Sequence, residues 1–232
     1  MPLRKTPFVS GQVYHVFNRS VASQLIFRTK KEYQLFINTI EYYHFLNINS
    51  RFSYYLRLED ELKKKALNSL YSASNTRVDL YAFCLMPNHY HLLVKQNVDN
   101  GISNFTSRIQ NSYARYLNTK NKRVGSLYQS PFKGTLIETE EQFIHVGRYI
   151  HLNPLTSYIL KDFNQLMNHP WCSFGDYLNI FNRRFITKKH LMSFYSSPED
   201  LSKFTLDRLS YQRNIEKIKH IILEDNAYIP EV

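Results

Sequence analysis

The 232-residue chain predicts an α+β fold, an antiparallel pair of strands flanked by amphipathic helices around one core. Three observations carry this. Residues 81–96, YAFCLMPNHYHLLVKQ, form two strand-like apolar runs separated only by Pro87-Asn88. Proline presets the φ of a turn and asparagine tolerates its tighter corner, so the runs fold back as a hairpin. Three other stretches repeat apolar residues at helical spacing. Finally, 43% of the residues are hydrophobic, enough for a real core. No apolar run approaches the roughly 18 residues that span a bilayer.

Taken in order, GQVYHVFNRS (residues 11–20) alternates as a strand ending at Asn18-Arg19. In KKEYQLFINTIEYYHFL, the residues Tyr33, Phe36, Ile37, Ile40 and Tyr43 fall on one helical stripe. Residues 47–77 are harder to read, with LEDELKKKALNSLY as a short charged helix and SASNTR as a loop. The hairpin follows, Val78 to Met86 and His89 to Gln96, with His89, His91, Leu93 and Lys95 on one face of its second arm. From about Ser103 to Asn118, Phe105, Ile109, Tyr113 and Tyr116 keep helical spacing, and Arg108, Asn111, Arg115 and Asn118 form a solvated opposite side. TKNKRVGSLYQSPFKG is a basic loop before a short strand around Phe132 to Ile137, and its Tyr128 either stacks on a base or covers the core. Thr139 with Gln142 marks a helix start. Phe143, Val146, Gly147 and Ile150 form its buried stripe, and Pro154 is expected to end it. Tyr149 and Asn153, four apart, lie together along one edge of that stripe. Short helices are expected from about Thr187, one capped at Ser197-Pro198 and one in IEKIKHIILED. The division expected is 1–180 as the main domain and 181–232 as a helical C-terminal extension.

Charge narrows the partner. Thirty Lys and Arg against 19 Asp and Glu give a net +11, which in a chain with no membrane signature points to a polyanion, most often nucleic acid. Eighteen Tyr and 16 Phe supply rings of the kind that stack on unpaired bases. No apolar signal segment opens the sequence, and two cysteines, Cys84 and Cys172, make neither a disulfide framework nor a metal quartet. They read as packing residues in a cytoplasmic protein.

The chemistry centres on MPNHYHLL. In a strand, residues i and i+2 point the same way about 6 to 7 Å apart, so His89 and His91 could share one ion. Two buried histidines with ordinary partners satisfy the same pattern.

MPNHYHLL on a hairpin, the GSLYQSPFKG loop and GRYIHLNP on a capped helix, in this order, resemble the single-tyrosine transposases of the HUH nuclease superfamily, in particular the REP-associated tyrosine transposase-like branch. The resemblance covers about Gly11 to Tyr177. It implies a ferredoxin-like or RRM-like antiparallel sheet with helices on one face and the active site on the other. It also implies a metal-dependent DNA transposase that cleaves and rejoins single-stranded or hairpin DNA through a 5′-phosphotyrosine. His89 and His91 match the metal pair, Tyr149 the nucleophile, and Asn153 the polar residue that completes the metal environment. Mg²⁺ is the expected ion, with Mn²⁺ as a good substitute. Pro131 stands where the family usually has a basic residue.

Arg19, Lys95, Lys122, Arg123 and Lys133 are candidates for phosphate contacts. Tyr113 and Tyr116 sit at stripe positions and read as core; His15 would neighbour the metal pair if the first strand is central, but reads as structural. The protein acts as a monomer or a homodimer. The alternative is a non-catalytic RRM-like module that holds single strands on aromatic rings; a phosphodiesterase that activates water is a further rival.

Overall fold

Strand parity and helical periodicity decide how this chain layers. A computed structural model describes residues 7–48 and 50–207. The chain runs β1 (Val13–Arg19), α1 (Lys30–Tyr43), α2 (Phe52–Tyr55), α3 (Asp60–Ala73), β2 (Val78–Met86), β3 (His89–Gln96), α4 (Gly101–Lys120), β4 (Lys133–Ile137) and α5 (Glu140–Thr156). The short helices α6 (Phe163–Met167), α7 (Phe174–Tyr177), α8 (Lys188–Met192) and α9 (Pro198–Leu206) follow. The sheet order is β2-β3-β1-β4, antiparallel throughout. This is the ferredoxin-like β-α-β-β-α-β arrangement. Each helical crossover skips one strand, and the shared handedness of such crossovers puts α1 and α4 on the same face.

That face is aromatic. Alternation along β3 turns Tyr90, Leu92 and Val94 toward it, and Tyr90 packs against Phe36 of α1 while Gln110 of α4 donates to its hydroxyl. Phe36 and Tyr113 meet edge to face at 5.1 Å. Tyr128 covers this core, 5% exposed and edge-on to Tyr90, so of its two readings the covering one holds. Cys84 and Cys172 are free and buried, as expected. The helix α1 starts where Thr29 and Glu32 form a capping box. A groove of about 750 Å³ runs between α1, α2 and α4, and Arg51, Arg57, Arg108, Arg115 and Lys120 line it. The solvated side read on α4 is one wall of this groove.

The helix α5 lies on the opposite face. Its N-terminus is set by Thr139, whose Oγ1 accepts from the Gln142 N–H at 3.1 Å. A Cβ on Gly147 would stand 3.9 Å from Leu93 and 3.5 Å from Leu191, so the helix approaches β3 where it has no side chain. Val146, expected in the stripe, is only half-buried against the core. Residues 171–173 add to the outer edge of β2: Leu85 N–H donates to Trp171 O and Ser173 N–H to Phe83 O. His151 Nε2 lies 3.0 Å from Ser173 Oγ, which ties α5 to that edge.

One boundary differs from the reading of the sequence. Pro154 does not end α5, which continues to Thr156 with the proline inside it. The missing N–H costs one helical bond, yet the turn goes on: Ser157 N–H donates to Asn153 O and Leu160 N–H to Pro154 O. Leu152, Leu155 and Thr156 are buried, and that burial outweighs the steric preference against a helical residue before proline. The stretch IEKIKHIILED lies outside the described residues.

Candidate active site

Antiparallel register puts directly paired residues on the same side of the sheet, so the face beneath α5 can be read as a grid. One row is Met86, His89 and Arg19; the next is Cys84, His91, Phe17 and Lys133; the third is Ala82, Leu93, His15 and Thr135. The hairpin turn thus carries both histidines to one corner of this face, and their ring centroids are 5.0 Å apart. Tyr149, from α5, comes down beside them with its ring centroid 5.6 Å from that of His91 and 6.0 Å from that of His15. Asn153 stands one turn further along α5 and is buried; its Nδ2 has no hydrogen-bond partner among the described residues.

The imidazoles are held from behind. His89 Nδ1 is 2.6 Å from Asn88 Oδ1, and His91 Nδ1 is 3.0 Å from His15 Nε2. Burial, reinforced by the Arg19 guanidinium, holds the His89 imidazole down to about 3. It is therefore neutral at pH 7, the state a metal ligand needs. Among the described residues, no three His, Cys, Asp or Glu side chains gather into a ready-made ion cage. An ion here would take two imidazoles, an amide and oxygens from substrate or water.

Of the expected phosphate contacts, Arg19 and Lys133 are brought to this corner, each in the same row as one of the histidines. Both are exposed. Lys95 shares the face but sits at the far end of β3, about 13 Å from His91 at the rise of a strand. Leu93, under Gly147, stands between them. Lys122 and Arg123 belong to the loop leaving α4, and Arg123 is engaged with Asn118. Tyr113, on the other face, is 1% exposed and donates to Ile26 O, a core residue as read.

Sequence reasoning sets His15 beside the metal pair only on the condition that its strand is central, and otherwise reads it as structural. Its strand β1 is central, between β3 and β4, so its side chain meets the HxH pair. The signal was its parity with Phe17 and Arg19, but the neighbouring strand was not fixed by the sequence.

A family model described as "Transposase IS200 like" matches residues 18–153, a stretch that includes His89, His91, Tyr149 and Asn153 and stops short of His15. A solved structure described as the REP-associated tyrosine transposase bound to a REP hairpin superposes with a TM-score of 0.51 at 13% identity, covering 77% of this chain and 86% of that one. At that identity the likeness is one of fold. No curated protein matches the chain. The chain belongs to the IS200-like transposase family, and no helix among its described residues is long and apolar enough to cross a membrane.

Proposed function

We propose that this transposase is a metal-dependent DNA strand transferase that cleaves and rejoins single-stranded or hairpin DNA through Tyr149. The observation that carries this reading is the approach of the Tyr149 ring to 5.6 Å from the His91 ring within one chain. In the step proposed, the Tyr149 oxygen bonds to phosphorus as the bond from phosphorus to the 3′-oxygen breaks. The phenol gives up its proton and the leaving 3′-oxygen takes one, so the products are a 5′-phosphotyrosine and a free 3′-hydroxyl. Reversal by a new 3′-hydroxyl rejoins DNA without ATP. An ordinary phenol, with pKa near 10, is about a thousandth ionised at pH 7, a handicap of roughly 4 kcal/mol.

The residues present fit a divalent ion. His89 is neutral, each imidazole is held through Nδ1, and Asn153, buried one turn from Tyr149, has an amide oxygen, the atom of that group able to ligate. His89, His91 and Asn153 would hold it, Mg²⁺ with Mn²⁺ as substitute, and it would offset the charge developing on the phosphate. Arg19 and Lys133 then hold flanking phosphates. Hairpin DNA is proposed as partner because the REP-associated transposase sharing this fold is bound to a REP hairpin. Residues 1–180 are proposed as the catalytic domain. The described part of the extension beyond them, to residue 207, braces α5: Leu191 packs at Gly147, and Arg148 donates to Phe204 O.

The test is a 3′-labelled hairpin or single strand incubated with the protein and resolved under denaturing conditions. Wild type is expected to carry label, Tyr149→Phe to carry none while still binding DNA, and EDTA to suppress labelling. Cutting by Tyr149→Phe without an adduct would transfer the attack to water.

A further inference from the structure

Both histidines of the HxH pair are gripped at Nδ1, by partners of different kinds. At His89 the partner is an amide oxygen: Asn88 Nδ2 donates to Ser23 O at 3.3 Å, which turns Oδ1 toward the ring. An oxygen only accepts, so His89 keeps its proton on Nδ1 and its lone pair on Nε2. At His91 the partner is another imidazole, His15, with Nε2 at 3.0 Å. A single proton lies between them, and it can sit on either nitrogen. Only when it sits on His91 Nδ1 does His91 match His89, with the lone pair on Nε2; His15 must then carry its own proton on Nδ1.

We propose that His15 is a positioning residue that fixes His91 as the Nδ1–H tautomer and so presents the Nε2 lone pair to a divalent ion. The inference rests on the reading of His89 and His91 as that ion's ligands. Its geometry is well defined. The two rings lie 22° from parallel with centroids 5.1 Å apart, Phe17 packs 5.6 Å from His91, and His15 and His91 are 4% and 7% exposed. His15 rides on the central strand β1, hydrogen-bonded on both sides, so it cannot swing away as a loop residue can. Ligating imidazoles are oriented in this way by an acceptor on the ring nitrogen that does not face the metal, and loss of such an acceptor costs about 10–100-fold in metal affinity.

The experiment uses the full chain. Long-range proton–nitrogen correlation spectra of the metal-free wild type should show His15, His89 and His91 all protonated on Nδ1. Mn²⁺ binding, followed by the loss of free-ion paramagnetic signal, should weaken about 10–100-fold in His15→Leu. It should largely recover in His15→Gln, whose Oε1 can accept from His91. A His91 protonated on Nε2 in the wild type would overturn the proposal, and that result needs no variant to fold. So would a folded His15→Leu that binds Mn²⁺ as the wild type does. Wild-type protein with the expected tautomers and no Mn²⁺ binding would overturn the ligand assignment and the purpose given to His15. The spectra tell that failure apart from the others.

Discussion

Tyr90 and His91 are adjacent in the chain and lie on opposite faces of one sheet, and the two faces put similar side chains to different ends. Toward α1 and α4, tyrosines interlock and their hydroxyls are committed: Tyr113 donates to Ile26 O, and Tyr90 accepts from Gln110. Burial pushes both phenols above their usual range, which makes them poor nucleophiles. Toward α5, Tyr149 is half-buried and meets imidazoles held through Nδ1. Among 18 tyrosines, residue type therefore says little about chemistry. Parity on the strand, and the helix that crosses above it, say more.

The sharpest way to break this contrast is to move the phenol. Tyr149→Phe, which has no oxygen to bond to phosphorus, should abolish adduct formation. Tyr113→Phe should leave the adduct intact and cost about 1 kcal/mol of stability, because Ile26 O loses its donor; denaturant midpoints and labelling read the two effects separately. Acid tests both faces together. Burial holds His44, at the end of α1, down to about 4 and His151, on α5, down to about 3. Their folded pKa values lie below the unfolded value near 6.5, so the unfolded chain takes up protons first. Stability is then complete above about pH 6.5 and falls as pH drops toward 4. At pH 5 each imidazole should cost on the order of 2 kcal/mol, read as a lower urea midpoint than at pH 7.

Smaller effects sharpen the comparison. Arg19→Ala and Lys133→Ala should each weaken hairpin binding several-fold and reduce the salt slope by about one, whereas Lys95→Ala, beyond Leu93, should change neither; anisotropy titrations across salt decide it. The smallest effect belongs to Gly147→Ala. The added Cβ would meet Leu191 and Leu93 at ordinary contact distances, 3.5 to 3.9 Å. A helical alanine also loses less backbone entropy than glycine. Stability should be unchanged or higher by up to about 1 kcal/mol, with the adduct unaffected.

Local signals in the sequence were strong where one residue pair fixes one geometry. Pro87-Asn88 closes the hairpin, Thr139 caps α5, and Ser197 accepts from Asp200 N–H at the start of α9. The i, i+2 spacing puts His89 and His91 on one strand face and the capped stripe puts Tyr149 beside Asn153, but only the resemblance to the single-tyrosine transposases joined that tyrosine to the histidine pair. What stayed hidden depends on neighbours far along the chain. His15 meets His91 across 76 residues because β1 is central. The passage of α5 through Pro154 depends on burial of Leu155 and Thr156, and α2 is a single turn whose Phe52 is held by packing on Tyr42 and Tyr43 at the end of α1.

The bracing of α5 by residues that follow it has a kinetic consequence. Arg148 donates to Phe204 O and its guanidinium lies 4.3 Å from the Phe204 ring, so the polypeptide folds its own phenol over its own imidazoles. Cleavage by such a molecule should be first order in protein. Specific turnover at nanomolar dilution should equal that at micromolar, with no lag for a second copy to arrive.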